Sequence, residues 1–248
     1  MDRVVIDAPS PNFDARTAPP DMAVLHYTGM ASGEAALERL RDPAAKVSAH
    51  YLVEEDGRIF RLVDEARRAW HAGLSFWRGE RDINARSIGI EIVNPGHEWG
   101  YRAFPAPQID AVIGLLDSIR GRWTIPDACI LGHSDVAPDR KQDPGELFPW
   151  ARLAGAGHGL WAEPAPAPGD PLQEGDQGVG VFALQAALTR LGYDCAPSSV
   201  YDEKTRAVVI AFQRHWAPHR VDGVADGATR ARLMAVVRLA AQADSTPS

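Results

Sequence analysis

The sequence predicts an α/β fold, a mixed central sheet flanked by helices, followed by a second, small three-helix domain. Three observations carry this reading. Short apolar blocks with strand periodicity alternate with helix-spaced segments over about the first 160 residues. A Pro/Ala-rich stretch then interrupts the pattern, and only helical periodicity follows it.

Met22 to Tyr27 is a short apolar run that ends in a histidine, His26. Ser32 is placed to cap a helix through Leu37 and Leu40, which Pro43 would end. His50 to Glu54 and Arg58 to Val63 flank a Glu-Asp-Gly turn, the signature of a hairpin. Ser87 to Val93 alternates with period two, so its isoleucines face one side and Glu91 falls on the other with Gly89. Behind Pro107, Ile109, Val112, Ile113, Leu116 and Ile119 recur at helical spacing. Ala128 to Leu131 reads as a buried strand running into Gly132-His133.

Residues 161–171, Trp-Ala-Glu-Pro-Ala-Pro-Ala-Pro-Gly-Asp-Pro, read as a stiff extended linker. This divides the chain into domains at 1–160 and 172–248. In the second, Val181, Leu184, Leu188 and Leu191 form one apolar stripe, and Gly192 is placed to end that helix. An internal repeat follows: Val200-Tyr-Asp-Glu-Lys-Thr-Arg206 returns as Val224-Ala-Asp-Gly-Ala-Thr-Arg230. In each copy the Asp suits the start of a helix, first through its capping oxygen and then through its charge. Val209, Phe212 and Trp216 fill the apolar face of one helix; Leu233, Val236, Val237 and Ala240 fill that of the next. No nucleophile–base pair and no metal cluster is visible in this part, so it is expected to bind rather than catalyse.

Of the 248 residues 45% are apolar, enough to bury a core without staples. The net charge of −7 argues against electrostatic binding to nucleic acid or anionic membranes. Only two cysteines occur, Cys129 and Cys195, far apart and outside any Cys-x-x-Cys pattern, which disfavours both a disulfide framework and a thiolate zinc site. Cys129 reads as a small core residue. No apolar stretch is long enough to cross a bilayer, and the first residues have no basic segment followed by an apolar one.

Four elements carry candidate chemistry. They are Leu25-His26-Tyr27-Thr28-Gly29, Glu91 on its isoleucine-rich strand, Gly132-His133-Ser134-Asp135, and the loop from Ala137 to Glu146 with Lys141 and Asp143. A catalytic zinc takes three protein ligands and leaves a fourth position to water, and two histidines with one carboxylate meet that need. A carboxylate that is not a ligand can take the water's proton, and Glu91 is the candidate. A cation can stabilise the oxyanion, and Lys141 is the candidate; an extended loop puts it on the same side as Asp143. Each residue also has an ordinary reading: His26 as a hydrogen-bonded core histidine, Asp143 before Pro144 as a turn initiator, Lys141 as a solvated charge. Glu91 is the hardest to dismiss, because a carboxylate inside an apolar strand needs a partner or a purpose.

At these residues the sequence resembles the zinc-dependent N-acetylmuramoyl-L-alanine amidases of the type-2 group (AmpD/AmiD-like), which share the peptidoglycan-recognition-protein fold. The likeness runs from Ser10-Pro-Asn-Phe-Asp-Ala-Arg16 to Phe148-Pro-Trp150. It includes His26-Tyr-Thr-Gly, Ser48-Ala-His-Tyr-Leu-Val, Asp56-Gly-Arg, Trp70-His-Ala-Gly, Ser87-Ile-Gly-Ile-Glu, Gly132-His-Ser-Asp and Lys141-Gln-Asp-Pro-Gly. The resemblance implies one zinc ion on His26, His133 and Asp143, water activation by Glu91, and oxyanion support by Lys141. It also implies the substrate bond, the amide between the lactyl group of N-acetylmuramic acid (or its 1,6-anhydro form) and L-alanine of the stem peptide. Tyr27, His50, His71, Asn84, Arg86 and Asn94 are the candidate substrate contacts, each with the alternative of holding loops or backbone. His97, His158, His215 and His219 have no partner pattern and read as surface or structural residues.

The part after the linker resembles the small helical peptidoglycan-binding domain of many cell-wall hydrolases. Leu184-Gln185, Leu191-Gly-Tyr193, Tyr201-Asp202, Thr205, Phe212-Gln213, Val221-Asp-Gly223 and Thr229 carry that likeness. The expected partners are therefore peptidoglycan or soluble (anhydro)muropeptides, with no nucleic acid, no membrane insertion and a monomeric chain. Two rivals stand beside the amidase reading: a recognition protein that binds muropeptides without cutting them, and a hydrolase that cuts another bond. The former would lack a complete ligand set, whereas His26, His133, Asp143 and Glu91 are all present. The N-terminal residues, the cysteines and the acidic balance point to the cytoplasm. A removed signal peptide and the wall-binding module would instead point to the periplasm or the cell exterior.

Overall fold

The computed structural model describes residues 4–245. Its strands are β1 (Val5–Asp7), β2 (Phe13–Ala15), β3 (Met22–Tyr27), β4 (Tyr51–Val53), β5 (Ile59–Arg61), β6 (Arg67–Ala69), β7 (Ser87–Ile92) and β8 (Ile130–Gly132). The helices of this part are α1 (Gly33–Arg41), α2 (Ile83–Arg86), α3 (Gly96–Trp99), α4 (Ala106–Arg120), α5 (His133–Val136) and α6 (Trp150–Gly155). Three more follow: α7 (Val179–Leu191), α8 (Glu203–Trp216) and α9 (Gly227–Ser245).

Six strands form the central sheet in the order β1-β5-β4-β7-β3-β8. It is mixed, as expected: β4 and β5 pair antiparallel around the Glu-Asp-Gly turn, and the other pairings are parallel. A small antiparallel pair, β2 with β6, stands apart. β3 and β7 are interior strands, paired on both sides, where parallel strands are covered on both faces and so must be almost wholly apolar. Val24, Leu25, Ile88, Ile90 and Ile92 are fully buried there.

Ser32 caps α1 by accepting from the Ala35 amide at 3.1 Å, and the helix ends at Arg41, ahead of Pro43. α4 lays Ile109, Val112, Leu116 and Ile119 on the sheet, all fully buried. Its buried Gln108 donates to the carbonyls of Val53 and Val93, pinning the helix to two strand ends. The expected strand at Ala128 to Leu131 is displaced by one turn. Pro126 opens a 3-10 turn over Asp127–Cys129, closed by the Cys129 amide on the Pro126 carbonyl, so the strand starts only at Ile130. Cys129 and Cys195 are both buried, and no disulfide joins them.

Residues 161–171 contain no helix or strand. Beyond them, α7, α8 and α9 form the expected three-helix unit around Val181, Leu188, Phe212, Trp216, Leu233 and Val236. The internal repeat is a repeated cap: Asp202 accepts from the Thr205 amide and Asp226 from the Thr229 amide, each at 2.8 Å. Buried Gln185 and Gln213 extend it. Each donates to the backbone carbonyl that precedes its repeat's next element, from Val200 and Val224 respectively, and to the same threonine hydroxyl.

Candidate active site

The strand register places the site. β3 and β7 are parallel, with His26 directly beside Glu91, and side chains at paired positions share a face. β8 lies on the other side of β3 with Gly132 beside Leu25, so His133 follows next to His26. All three side chains therefore stand at the carboxyl ends of adjacent parallel strands, where open α/β sheets bind ligands. The loop after α5 returns Asp143 to the same point, and the Ser134 amide holds its backbone by donating to the Asp143 carbonyl at 2.9 Å.

His26, His133 and Asp143 are buried together and can offer one ligand atom each to a common centre. His26 Nδ1 lies 2.9 Å from His133 Nδ1 and 3.0 Å from Asp143 Oδ2. His133 Nδ1 lies 2.9 Å from the same carboxylate oxygen. The groups behind each ring assign its tautomer. His133 Nε2 faces the Ala72 carbonyl at 3.1 Å, which can only accept, so this nitrogen carries the proton. Behind His26 the chain is longer. Ser87 Oγ donates to the Ile83 carbonyl at 2.6 Å and so must accept from His71 Nε2, 3.1 Å away. His71 Nδ1 is then an acceptor, and His26 Nε2, at 3.0 Å, is its donor. With both imidazoles neutral, their Nδ1 lone pairs and a carboxylate oxygen converge with no proton between them. Such a cluster fits a cation, and two imidazoles with one carboxylate are a zinc-type donor set.

The electrostatics agree. Burial, then the neighbouring His133, pushes the pKa of His26 down to about 4, which keeps the ring neutral and ready to ligate. His71 is held well below the usual histidine range by burial and by His26. Burial alone would raise Asp143, but His133 and His26 outweigh it and hold the carboxyl far below its usual range. Glu91 goes the other way: burial and then Asp143 raise it well above an ordinary carboxyl, with Lys141 opposing. Its Oε2 is sealed from solvent and has no hydrogen-bond partner among the described residues.

A cleft of about 740 Å³ opens over this cluster. Its walls include His26, Glu91, His133, Lys141 and Asp143, together with Tyr27 and His71. Gly89 makes room for this arrangement, since a Cβ there would stand 2.4 Å from His71 Cγ. The other sequence candidates do not line the cleft. His50 is fully buried; its Nδ1 accepts from the Gly89 amide, and its Nε2 meets Arg16 and the Arg67 carbonyl. Asn84 accepts from the His71 and Ala72 amides and so shapes the loop that carries His71. Arg86 pairs with Asp21, and buried Asn94 donates to the Arg102 carbonyl while accepting from the Gly96 amide.

Sequence reasoning missed several cleft residues. His97 lines the cleft, with Nδ1 3.0 Å from the Tyr27 hydroxyl and Nε2 3.2 Å from Glu146. Trp99, 64% exposed, stands on the rim, and Arg39 and Arg140 complete the walls. Arg140 is held by the Ala72 and Leu74 carbonyls. The available signal was position: Gly96-His97-Glu98-Trp99 follows the carboxyl end of β7, the same end that carries Glu91.

Comparison with known proteins agrees with this geometry. The N-acetylmuramoyl-L-alanine amidase family model matches residues 16–146, and a peptidoglycan binding domain model matches residues 177–233. The N-acetylmuramoyl-L-alanine amidase AmiD of Escherichia coli is 38% identical over 228 residues, covering 84% of this chain and 79% of AmiD. The 1,6-anhydro-N-acetylmuramyl-L-alanine amidase AmpD of Escherichia coli is 36% identical over 167 residues, covering 58% of this chain and 87% of AmpD. Among solved structures, AmiD in complex with anhydro-N-acetylmuramic acid-L-Ala-D-gamma-Glu-L-Lys superposes with a TM-score of 0.76 at 35% identity, covering 91% of this chain and 92% of that one. AmpDh3 of Pseudomonas aeruginosa, in complex with anhydromuramic pentapeptide, gives 0.75 at 30% identity, covering 90% and 93%.

Proposed function

This chain belongs to the N-acetylmuramoyl-L-alanine amidase family, and we propose that it hydrolyses the amide between the lactyl group of (anhydro-)N-acetylmuramic acid and L-alanine of the stem peptide. The carrying observation is the cluster of His26 Nδ1, His133 Nδ1 and Asp143 Oδ2 beside Glu91, whose Oε2 has no hydrogen-bond partner among the described residues. Relatives with the same fold over nearly their whole length are bound to anhydromuropeptides, which supports the same substrate class here. The presence of Glu91 beside the ligand set favours hydrolysis over mere recognition.

In this reading His26, His133 and Asp143 hold one zinc ion. Bound there, zinc supplies Lewis acidity, lowering the pKa of water toward about 7 and polarising an amide carbonyl. Glu91 takes the proton of the attacking water and returns it to the departing nitrogen, so that the C–N bond breaks, a C–O bond forms, and the peptide leaves as an amine. A carboxyl raised by burial is suited to both halves of that transfer. Lys141, on the cleft wall, places its cation where the carbonyl oxygen gains charge. Tyr27 and His71 border the reacting groups, His50, Asn84 and Asn94 hold nearby backbone, and Arg86 pairs with Asp21 at the amino end of β3.

We take residues 1–160 as the amidase domain, 161–171 as a linker, and 172–248 as a peptidoglycan-binding module; the two family matches support this division. No described helix is long and apolar enough to cross a membrane. Only two cysteines in 248 residues, with no disulfide between them, support a reducing compartment, the cytoplasm, and hence soluble muropeptide fragments as substrate. Incubation with anhydromuropeptide and with intact sacculi tests the proposal. Release of a peptide with a free L-alanine amine is expected from the former, and cleavage at any other bond would refute it.

A further inference from the structure

The helical module meets the amidase part at the helix that carries His133. Asp135, two residues after His133 in α5, is 1% exposed. Its carboxylate accepts three hydrogen bonds. Oδ2 takes the Gly132 amide at 2.8 Å and His215 Nδ1 at 2.6 Å, and Oδ1 takes the Tyr193 hydroxyl at 2.6 Å. Two of the three donors therefore come from the helical module, His215 on α8 and Tyr193 just after α7. Both are themselves immobilised. The His215 ring is stacked between Trp150 and Trp216, with centroids 3.6 Å from each. Tyr193 packs edge-on against Trp77 at 5.0 Å, and Gly192 permits that approach, since a Cβ there would stand 2.5 Å from the Trp77 ring.

The same helix reaches the other side of the site. Arg214 donates to Gln142 Oε1 at 3.1 Å, and Gln142 lies between Lys141 and Asp143. Arg214 Nε stands 3.9 Å from Glu146, which holds His97 on the cleft wall. The Ser134 amide, inside α5, is bonded to the Asp143 carbonyl. A shift of α5 would thus move His133 and Asp143 together. Asp135 resists it through three short, directional hydrogen bonds that converge on one side chain.

We propose that Tyr193 and His215 are positioning residues of the metal centre, acting through Asp135, so that the helical module braces His133 and Asp143 rather than only tethering the enzyme to its substrate. This rests on His26, His133 and Asp143 being metal ligands. Co²⁺ binding to the full-length chain tests it, read by visible absorption and by chelator competition. Tyr193→Phe and His215→Leu are expected to remain folded by circular dichroism, bind Co²⁺ about tenfold more weakly or worse, and change its ligand-field bands, the size of effect seen when support behind a ligand is removed. His215→Asn keeps an N–H near the Nδ1 position and is expected to recover the wild-type spectrum. Wild-type affinity and spectrum in both Tyr193→Phe and His215→Leu would overturn the inference, whatever their melting temperatures. Should His215→Leu not fold, Tyr193→Phe, which removes a single oxygen, decides alone. Failure of the unmutated chain to bind Co²⁺ would instead overturn the metal assignment itself.

Discussion

His26 Nδ1 and His133 Nδ1 face each other at 2.9 Å, and the bonds behind each ring leave a lone pair on both facing atoms. Two lone pairs at that distance repel unless a cation lies between them. The orientation of His26 depends on a relay through His71 to Ser87 and the Ile83 carbonyl. Replacing His71 with Phe removes the acceptor for His26 Nε2–H and should weaken zinc binding about 10- to 100-fold. Chelator competition measures this directly, and unchanged affinity would remove the relay from the account.

Glu91 is expected to act on the water without holding the metal. Glu91→Gln should retain zinc at wild-type stoichiometry and lose about 10²- to 10⁴-fold in kcat. Metal analysis beside a muropeptide turnover assay separates the two effects. A fully active Glu91→Gln variant would show that another group takes the proton.

Lys141 should matter more in the transition state than in substrate binding. Lys141→Met is expected to lower kcat about 10²- to 10³-fold with a smaller change in KM, the pattern of a lost oxyanion partner. A rise in KM at constant kcat would make Lys141 a substrate-binding residue instead.

Away from the cleft, Glu65 links acid stability to the fold. It is buried and accepts from the Tyr51 hydroxyl, Arg122 Nε and Nη2, and Trp123 Nε1. Burial alone would raise its pKa, but these donors outweigh it and hold the carboxyl below its ordinary value of 4.5. A lowered folded-state pKa means that this stabilisation is complete above about pH 4.5 and is lost as pH falls through the folded value. Glu65→Gln should cost about 1–3 kcal/mol at pH 7 and flatten the fall in stability below pH 4.5. Denaturant titrations at several pH values check both parts.

The pieces of the site were legible in the sequence because each sits on a local signal. The alternation from Ser87 to Val93 put Glu91 and Gly89 on one face, and the structure keeps them there, with Gly89 admitting His71. The Asp-led repeat gave both helix caps of the second part. What local pattern does not encode is which strands become neighbours. The pairing of β3 with both β7 and β8, which assembles His26, Glu91 and His133, is a long-range outcome of burying three apolar strands side by side. His215 illustrates the same limit. Within its own helix it only stacks on Trp216, and its meaning comes from Asp135, 80 residues away in the chain.

The most direct test of the hydrolase reading is product analysis before and after metal removal. Anhydromuropeptide is incubated with zinc-loaded protein, with chelator-stripped protein, and with stripped protein to which zinc is returned, and the products are resolved by mass spectrometry. The expected result is anhydro-N-acetylmuramic acid plus a peptide beginning with a free L-alanine amine, lost on stripping and restored by zinc. Intact muropeptide with the zinc-loaded protein, or the same products from the stripped one, would contradict a metal-dependent amidase built on His26, His133 and Asp143.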